Sequence, residues 1–541
     1  MTTSARALIV GLILVASTVS VAHAQPSGVS NRSAAGTADL PRMADGKPNL
    51  QGIWQTSIEG AAFDLRAHPA SNGAPASRSV IDAADLPYQS AAKTTRAANL
   101  TRRLTADPLA NCYMPGVPRI MLLPRPFQIF QTPTHVALAF EWSMVHRLIY
   151  TNGSRHPTGI DFWMGDSRGH WEGDTLVVDV ANHNEKTWFD SVGDFHSAAL
   201  HVVERYTLRD PNTLDYDATI EDPKTFTSPW KIHVPLRRRT DVKRLMEFQC
   251  EAEKEEANGA FEREAKTWYP ADAAGQRAAA QLIASTPMAT PGAPRFKPGA
   301  SIPRRPDGKP DLQAYFQNDA GGANYGLQKH ASDFLTPASR GVVIDPPDGT
   351  LPMQPWAVDE LKSRNKPERG YDDPTAHCFV AGVPRSMYSP SPIQFIQTPD
   401  YLVMLFERMS WRIVRLDGKG HVLPENVRLW HGDSIGHWDG DVLVVETTNL
   451  NGKTWLNEIG EILSHSERVV ERFTPIDDKT MQYEATVTDP IVYSRPWTIG
   501  FPLHRQNDEL LEVACHEDNQ DLQHLKDVRD AARAAKAKQG K

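Results

Sequence analysis

The sequence predicts a mostly β protein made of two tandem antiparallel meander β-barrels, each flanked by short helices. The first observation is a duplication: WMGDSRGHWEGDTLVVD at 163–179 returns as WHGDSIGHWDGDVLVVE at 430–446. The second is a series of short alternating stretches around each copy, separated by turn signals such as Asn152-Gly153 and Asp489-Pro490. The third is that no helical pattern interrupts this series, which favours strands closed as a barrel or a sandwich.

The chain divides into an N-terminal leader and two equivalent halves. With 541 residues it has room for two to four domains. Six prolines between Pro287 and Pro306 indicate a linker between the halves. The predicted segments are a signal peptide at 1–24, a flexible leader at 25–40, a first barrel with a trailing helix at 41–286, the linker at 287–306, and a second barrel with a trailing helix at 307–541.

Strands follow one another at short intervals in the first copy, and the second copy repeats the spacing. In the first copy they are predicted at Gln128–Thr132, His135–Trp142, Val145–Thr151, His170–Trp171, Thr175–Val180, Leu200–Leu208, Thr213–Glu221, Trp230–Pro235 and Arg244–Cys250. Short helices are predicted around Leu86–Arg103 and Pro355–Arg364, and trailing helices within Glu251–Ala284 and Asp518–Lys541.

The first 24 residues indicate a secretory signal peptide. Arg6 supplies a positive start, Leu8–Val21 is apolar, and Ala22-His23-Ala24 is a small-x-small cleavage site. The apolar run is shorter than the roughly 20 residues that a spanning helix needs. A net charge of −8 and the lack of a basic run argue against nucleic-acid binding. We therefore expect a secreted or periplasmic protein with no membrane span.

Four cysteines occupy matching places in the two copies. Four cysteines allow three pairings. Duplication selects Cys112–Cys250 and Cys378–Cys515, because each copy then carries the same bond. An oxidising compartment makes four free thiols the less favoured alternative. On a chain-entropy view, each loop of this size contributes on the order of 5 kcal/mol before native strain is subtracted.

A glutamate kept in both copies is predicted to lie inside each barrel. In the first copy Val202, Glu204 and Tyr206 share one face of a strand, and Glu471 occupies the same position in the second. A buried carboxylate needs a partner or a raised pKa. Unpaired, it could be a general acid. The favoured alternative is a structural ion pair with a neighbouring arginine such as Arg147 or Arg412.

Three histidine pairs also recur, each beside a turn or a strand start. His170 and His437, flanked by Gly and Trp, are the best candidates for general acid/base chemistry. The predicted catalytic residues are therefore His170, Glu204 and Asp166 in the first copy, and His437, Glu471 and Asp433 in the second.

A second group of kept residues offers donors, acceptors and aromatic surfaces. Asn182-x-Asn184-x-Lys186-Thr187-Trp188 returns at 449–455, and each Gly-Val-Pro-Arg follows a first cysteine. Such residues could hold a sugar or a phenolic ligand. Equally, the asparagines could cap backbone groups and the arginines could tie down the disulfide loops. The predicted ligand-binding residues are His156, His196, Asn184, Trp188, Arg119, His421, His465, Asn451, Trp455 and Arg385.

Two other chemistries are less favoured. Three histidines with carboxylates could bind zinc, but no tight HxH or HxxxH pair is present, so no metal or other cofactor is expected. Gly165-Asp166-Ser167-Arg168-Gly169 is superficially similar to the GDSGG of trypsin-like proteases, yet the second Gly of that motif is missing. These residues suit a tight connection between strands.

Four strings together carry a resemblance: GDSxGHWEGDTLVVD, ERY, TIEDP and SPWKIHVP. They resemble a family of secreted bacterial proteins of unknown function, across most of both blocks. More loosely, the meander and Gly52-x-Trp54 resemble lipocalin-like (calycin) barrels, of which tandem pairs similar to hydroxyneurosporene-synthase-type hydratases are known. The second resemblance implies a calycin-type barrel in each half, and the first implies no particular chemistry.

The leading functional hypothesis is a protein that takes a small organic molecule, whether apolar, phenolic or glycosidic, in a barrel mouth or at the domain interface. As an enzyme it would perform cofactor-independent lyase, hydratase or isomerase chemistry with His170 and Glu204 or their counterparts. The alternatives are a non-catalytic binding or scaffold module of the periplasm or cell surface, and a metal-dependent hydrolase.

Overall fold

The computed structural model describes residues 40–71, 74–250, 273–287, 289, 295–332 and 336–539. The predicted signal peptide, almost all of the leader and residues 251–272 of the first trailing helix lie outside these ranges. Leu40–Lys541 form one compact unit, so both halves are described together. Among the described residues, no helix is both long enough and apolar enough to cross a bilayer.

Nine strands close the first barrel in sequence order. They are β1 Gly52–Thr56, β2 Phe127–Gln131, β3 His135–Phe140, β4 His146–Tyr150, β5 Asp166–Glu172, β6 Thr175–Ala181, β7 His201–Asp210, β8 Thr213–Glu221 and β9 Trp230–Arg238. The sequence did not predict β1, which closes the barrel by pairing with β2 on one side and β9 on the other.

The second barrel repeats this order and adds one short edge strand. Its strands are β10 Ala314–Asn318, β11 Val343–Asp345, β12 Ile393–Gln397, β13 Tyr401–Phe406, β14 Ser410–Arg415, β15 Asp433–Asp439, β16 Val442–Thr448, β17 Arg468–Pro475, β18 Thr480–Thr488 and β19 Trp497–Gln506. Pairing of β10 with β19 closes the ring, and β11 adds to β19. The predicted fold class, two tandem barrels, is confirmed.

Within the described part of the chain, four helices flank the barrels. They are α1 Ser90–Ala106, α2 Ala273–Ser285, α3 Pro355–Arg364 and α4 Gln520–Gln539. The sequence predicted α3 with the same bounds, because Pro355 is suited to a first helical turn. It placed α1 a few residues too early.

Two details of the meander were predicted wrongly. β4 and β5 pair in parallel, as do β14 and β15, because residues 151–165 and their counterparts cross the barrel end instead of turning back. Residues 244–250 form no strand. They leave the first barrel and run against the second one.

The glycine at the start of β1 is required by packing inside the first barrel. Trp54 is fully buried, and the Arg238 guanidinium lies 4.3 Å from its ring centroid. Gly52 has a φ of +136°, and a Cβ at this position would overlap the same guanidinium. A side chain there would therefore displace the arginine that lies over the Trp54 ring.

Both predicted disulfides are confirmed. Cys112 bonds to Cys250 and Cys378 to Cys515, with sequence separations of 138 and 137. In each half the bond ties the segment before β2, or before β12, to the segment that follows the last strand. That following segment is where the two halves meet.

Candidate functional site: the pocket between the barrels

The two barrels pack against each other through β2–β3 and β12–β14. Their contact is an apolar cluster that includes Phe130, Ala137, Val403, Leu405 and Trp411, all buried. Two equivalent side chains cross it in opposite directions: His146 Nε2 donates to the Phe406 carbonyl at 2.9 Å, and Trp411 Nε1 donates to the Phe140 carbonyl at 2.9 Å. The halves are thus related by an approximate two-fold arrangement.

The segment after each last strand docks on the opposite barrel. We name residues 240–250 the first tail and residues 507–517 the second tail. Glu247 of the first tail accepts hydrogen bonds from the backbone N–H groups of Trp430 and His431. Glu512 of the second tail accepts from the N–H groups of Trp163 and Met164, at 2.7 and 3.1 Å. Each barrel is therefore held by the tail of the other.

A pocket opens where the tails, the disulfides and the barrel contact meet. The space between its walls amounts to about 920 Å³, a volume that includes open solvent at the mouth. Equivalent positions of both halves face it in pairs. These pairs are Cys112 with Cys378, Tyr113 with Phe379, Met114 with Val380, Trp142 with Arg408, Ser143 with Met409, and Gln249 with Ala514. The pocket therefore exists only because the two halves are joined.

The two sides of the pocket differ at one pair in particular. Where the first half has Trp142, the second has Arg408, whose Nη2 lies 3.6 Å from Cys515 Sγ. Arg408 is exposed and forms no ion pair with any described residue. Asp373, a nearby carboxylate, is already bonded to Arg385 at 2.9 Å through both oxygens. Arg408 therefore offers its guanidinium to the pocket.

The remaining lining is suited to a flat, weakly polar molecule with a negative charge. Tyr113, Trp142, Phe379 and Phe406 supply aromatic surface, and His516 is a second nitrogen group. Among the described lining residues there is no carboxylate. A pocket with aromatic walls and a single guanidinium favours anions over cations.

Several non-glycine residues in the pocket wall have backbone angles in the left-handed region. Cys112, Ser143, Cys378 and Met409 have φ values of 58°, 49°, 65° and 48°. Such conformations are uncommon outside glycine and tend to persist at functional sites. The tight turns between β3 and β4, and between β13 and β14, present their side chains to the pocket as a result.

Glu204 and Glu471 lie inside the barrels, away from this pocket. Glu204 is fully buried and accepts from Arg147, Tyr206 and Tyr216. Glu471 is bonded likewise to Arg412 and Tyr483. The predicted structural ion pairs with Arg147 and Arg412 are confirmed, and the carboxylates have no free access to a ligand.

The structure does not bring His170 and Glu204 together, which corrects the predicted acid/base pair. Gly169, Val178 and Glu204 lie side by side in register, and so do His170, Val177 and Arg205. Adjacent residues in a strand point to opposite faces, so His170 is outside the barrel while Glu204 is inside. His170 is 61% exposed and pairs only loosely with Glu172 at 3.3 Å. The second copy repeats this register at His437 and Glu471.

Asp166 and Asp433 have histidine partners, but as parts of the contact between the halves. His156 Nδ1 lies 2.5 Å from Asp166, and His421 Nδ1 lies 3.4 Å from Asp433. Against the upward effect of burial, His421 and Arg244 hold the pKa of Asp433 below its ordinary value. Neither aspartate lines the pocket between the barrels.

The other predicted ligand-binding residues have local partners instead. Arg119 is bonded to Asp107 at 2.7 Å through both nitrogens, as Arg385 is to Asp373, and each pair ties down a disulfide loop. Asn184 and Asn451 accept from nearby backbone N–H groups at 3.0 Å. The remaining residues are buried or half-buried, and none lines the pocket: His196, with its Thr187 partner, Trp188, His465 and Trp455.

One group of carboxylates is close enough to share a cation among the described residues: Asp64, Asp190 and Asp194. Arg66 already lies 2.6 Å from Asp194, and Asp190 accepts from three backbone N–H groups. Arginine and backbone donors thus balance this group. The predicted histidines do not converge on it.

Apart from the disulfide cysteines, the residues that line the pocket were not predicted from the sequence. They come from turns and tails that differ between the copies, whereas the predicted site residues are those that the copies share. The change from Trp142 to Arg408, directly after a kept Phe-Glu, was the one available signal.

No family model matches the chain, and neither the curated proteins nor the solved structures gave a match.

Proposed function

We propose that the protein binds a small aromatic acid in the pocket between the barrels. One observation carries this proposal: Arg408 presents a guanidinium without an ion-pair partner among the described residues to a cavity with aromatic walls and no described carboxylate. A carboxylate ligand would form a charge-assisted hydrogen bond there. Its ring would contact Trp142 and Phe379.

The position of the pocket supports a small-molecule site, because residues of both halves line it. Sites of this kind also occur preferentially at domain interfaces. Of the two places expected from the sequence, the domain interface is the one we propose.

We propose binding rather than acid/base catalysis. A lyase or hydratase built on His170 and Glu204 would need both groups at one ligand, and they lie on opposite faces of the sheet. We also propose that the protein is exported and belongs to the secreted family that its GDSxGHWEGDTLVVD string resembles. The two disulfides are consistent with an extracellular location.

Equilibrium titration with two naphthalene probes tests the proposal. We expect 2-naphthoate to bind more tightly than 2-naphthol, by about tenfold or more, because a hydrogen bond to a charged group contributes about 1.5–3 kcal/mol. Arg408→Gln should abolish this preference. Arg237→Gln, which removes an exposed arginine on the outside of the first barrel, serves as the matched control and should leave it intact. Equal affinity for both probes in the unaltered protein would refute the proposal.

A further inference from the structure

The two tails share one residue type at an equivalent position and carry opposite charges at another. Glu247 and Glu512 occupy the same place in the two tails and make the same backbone contacts. Three residues earlier, Arg244 in the first tail corresponds to Glu509 in the second. The position that anchors the tail is therefore constant, while the charge beside it changes sign.

Each inverted charge meets its complement on the opposite barrel. Arg244 Nη1 donates to Asp433 Oδ1 at 2.7 Å, and this aspartate is 2% exposed. In the first barrel Arg168 bonds to Asp166 and reaches Glu509 with two hydrogen bonds of 2.9 and 2.7 Å. The residue that corresponds to Arg168 in the second barrel is Ile435. Arg168 therefore makes the first docking site attract an acidic tail, and its absence leaves the second to attract a basic one.

The same charges oppose any docking of like halves. If two chains joined through their first halves, Arg244 would meet Arg168. If they joined through their second halves, Glu509 would meet Asp433. Like charges at partly buried contacts suppress wrong partners. The apolar cluster between the barrels draws on both halves and does not by itself distinguish these arrangements.

We propose that the inverted pair Arg244/Glu509 is a pairing code that restricts each tail to a half of the other kind, so that two chains do not join through like halves. The code is independent of the pocket, since neither the pair Arg244 and Glu509 nor their partners Asp433 and Arg168 line the cavity. By pairing a first half with a second half, the code places Trp142 of one half and Arg408 of the other in the same cavity.

Exchanging the two charges in the full chain tests this code. In Arg244→Glu/Glu509→Arg the first tail carries the charge that complements a first barrel, and the second tail carries the charge that complements a second barrel. We expect the mass in light scattering to rise from one chain towards two as concentration increases. The neutral control, Arg244→Gln/Glu509→Gln, removes attraction without adding repulsion and should remain a single chain.

Zero-length carbodiimide cross-linking reports where the second tail lies. In the unaltered protein Lys186 of the first barrel pairs with Glu517 of the second tail, so these two residues should cross-link within one chain. In the charge-exchanged protein, a mixture of unlabelled and ¹⁵N-labelled chains should instead give Glu517 linked to Lys453, the counterpart of Lys186, with mixed labels. A single-chain mass with the Lys186–Glu517 link retained would overturn the proposal.

A single substitution covers the case in which the double variant does not fold. Glu509→Arg places a second cation beside Arg168, whereas Glu509→Gln does not. We expect the yield of the Lys186–Glu517 link to fall several-fold in the first variant and clearly less in the second. Equal yields would contradict the code.

Discussion

Replacing Glu204 by Gln separates a structural carboxylate from a catalytic one. In the first barrel Glu204 is fully buried and the Arg147 side chain is 2% exposed. Arg147 Nη1 and Glu204 Oε1 are 2.9 Å apart, which corresponds to a gross attraction of about 6 kcal/mol at an effective dielectric constant of about 20. Most of that attraction offsets the desolvation of the two charges.

The loss of stability expected for Glu204→Gln depends on the arginine that remains in the barrel. The arginine would stay charged and buried without its counter-charge, and breaking such a pair costs about 3–5 kcal/mol. We therefore expect the free energy of unfolding in urea to fall by that amount. Glu471→Gln, which leaves Arg412 in the same situation, should lose a similar amount.

The paired change Arg147→Met/Glu204→Leu is the control. It removes both charges and keeps the volume apolar, so it should recover most of the lost stability. Binding of 2-naphthoate by the folded protein should be unchanged in all three variants. The reasoning would be refuted if Glu204→Gln left stability intact, or if it removed ligand binding while the protein stayed fully folded.

Three further predictions concern buried groups whose protonation differs between the folded and unfolded states. Burial, His196 and Arg147 hold the pKa of His183 well below 6.5, so the stability contributed by neutral His183 is lost as pH falls below that value. His183→Leu introduces the residue found at Leu450. In urea titrations between pH 6.5 and 5, the free energy of unfolding of this variant should rise relative to that of the unaltered protein by at most about 1.4 kcal/mol per pH unit. Burial and Asp194 raise the pKa of Asp190 well above 3.8, so the stability contributed by protonated Asp190 is lost as pH rises above 3.8. Asp190→Asn introduces the residue that the second copy has at Asn457, and its gain in the free energy of unfolding should grow with pH and then level off. A loss of stability at pH 7 would count against a protonated Asp190. Desolvation raises the pKa of Glu512 to about 8, against the effect of the two N–H donors, so the stability contributed by protonated Glu512 is present below pH 4.5 and lost as pH rises to 8. Glu512→Gln should reduce the pH dependence of the thermal unfolding temperature, measured at pH 5, 6.5 and 8. An unchanged pH profile would contradict the raised pKa of Glu512.

The sequence predicted the fold well because the duplication supplied an internal comparison. Strands β7 to β9 follow from simple alternation, since one face is buried and the other is solvated. The disulfides follow because only one pairing gives both copies the same bond. β1 was missed because Gly52 and the short Ile-Trp-Gln run carry little periodicity.

The candidate site was harder to predict for a physical reason. Residues that both copies keep are those that hold each barrel together, such as Arg119 with Asp107 and Glu204 with Arg147. The pocket exists only between the copies, and its chemistry depends on a position where they differ. Arg408 could be recognised as a candidate only after the docking of the two halves was known.

Photolabelling with 4-benzoylbenzoate tests the central claim most directly. This aromatic carboxylate inserts into nearby C–H bonds when irradiated, and peptide mass spectrometry then locates it. We predict labels on the pocket wall, at Tyr113, Phe379 or Met409, that disappear in Arg408→Gln and are weaker with uncharged benzophenone. Labels on the outer barrel surfaces, or labels that Arg408→Gln leaves in place, would contradict a binding site between the barrels.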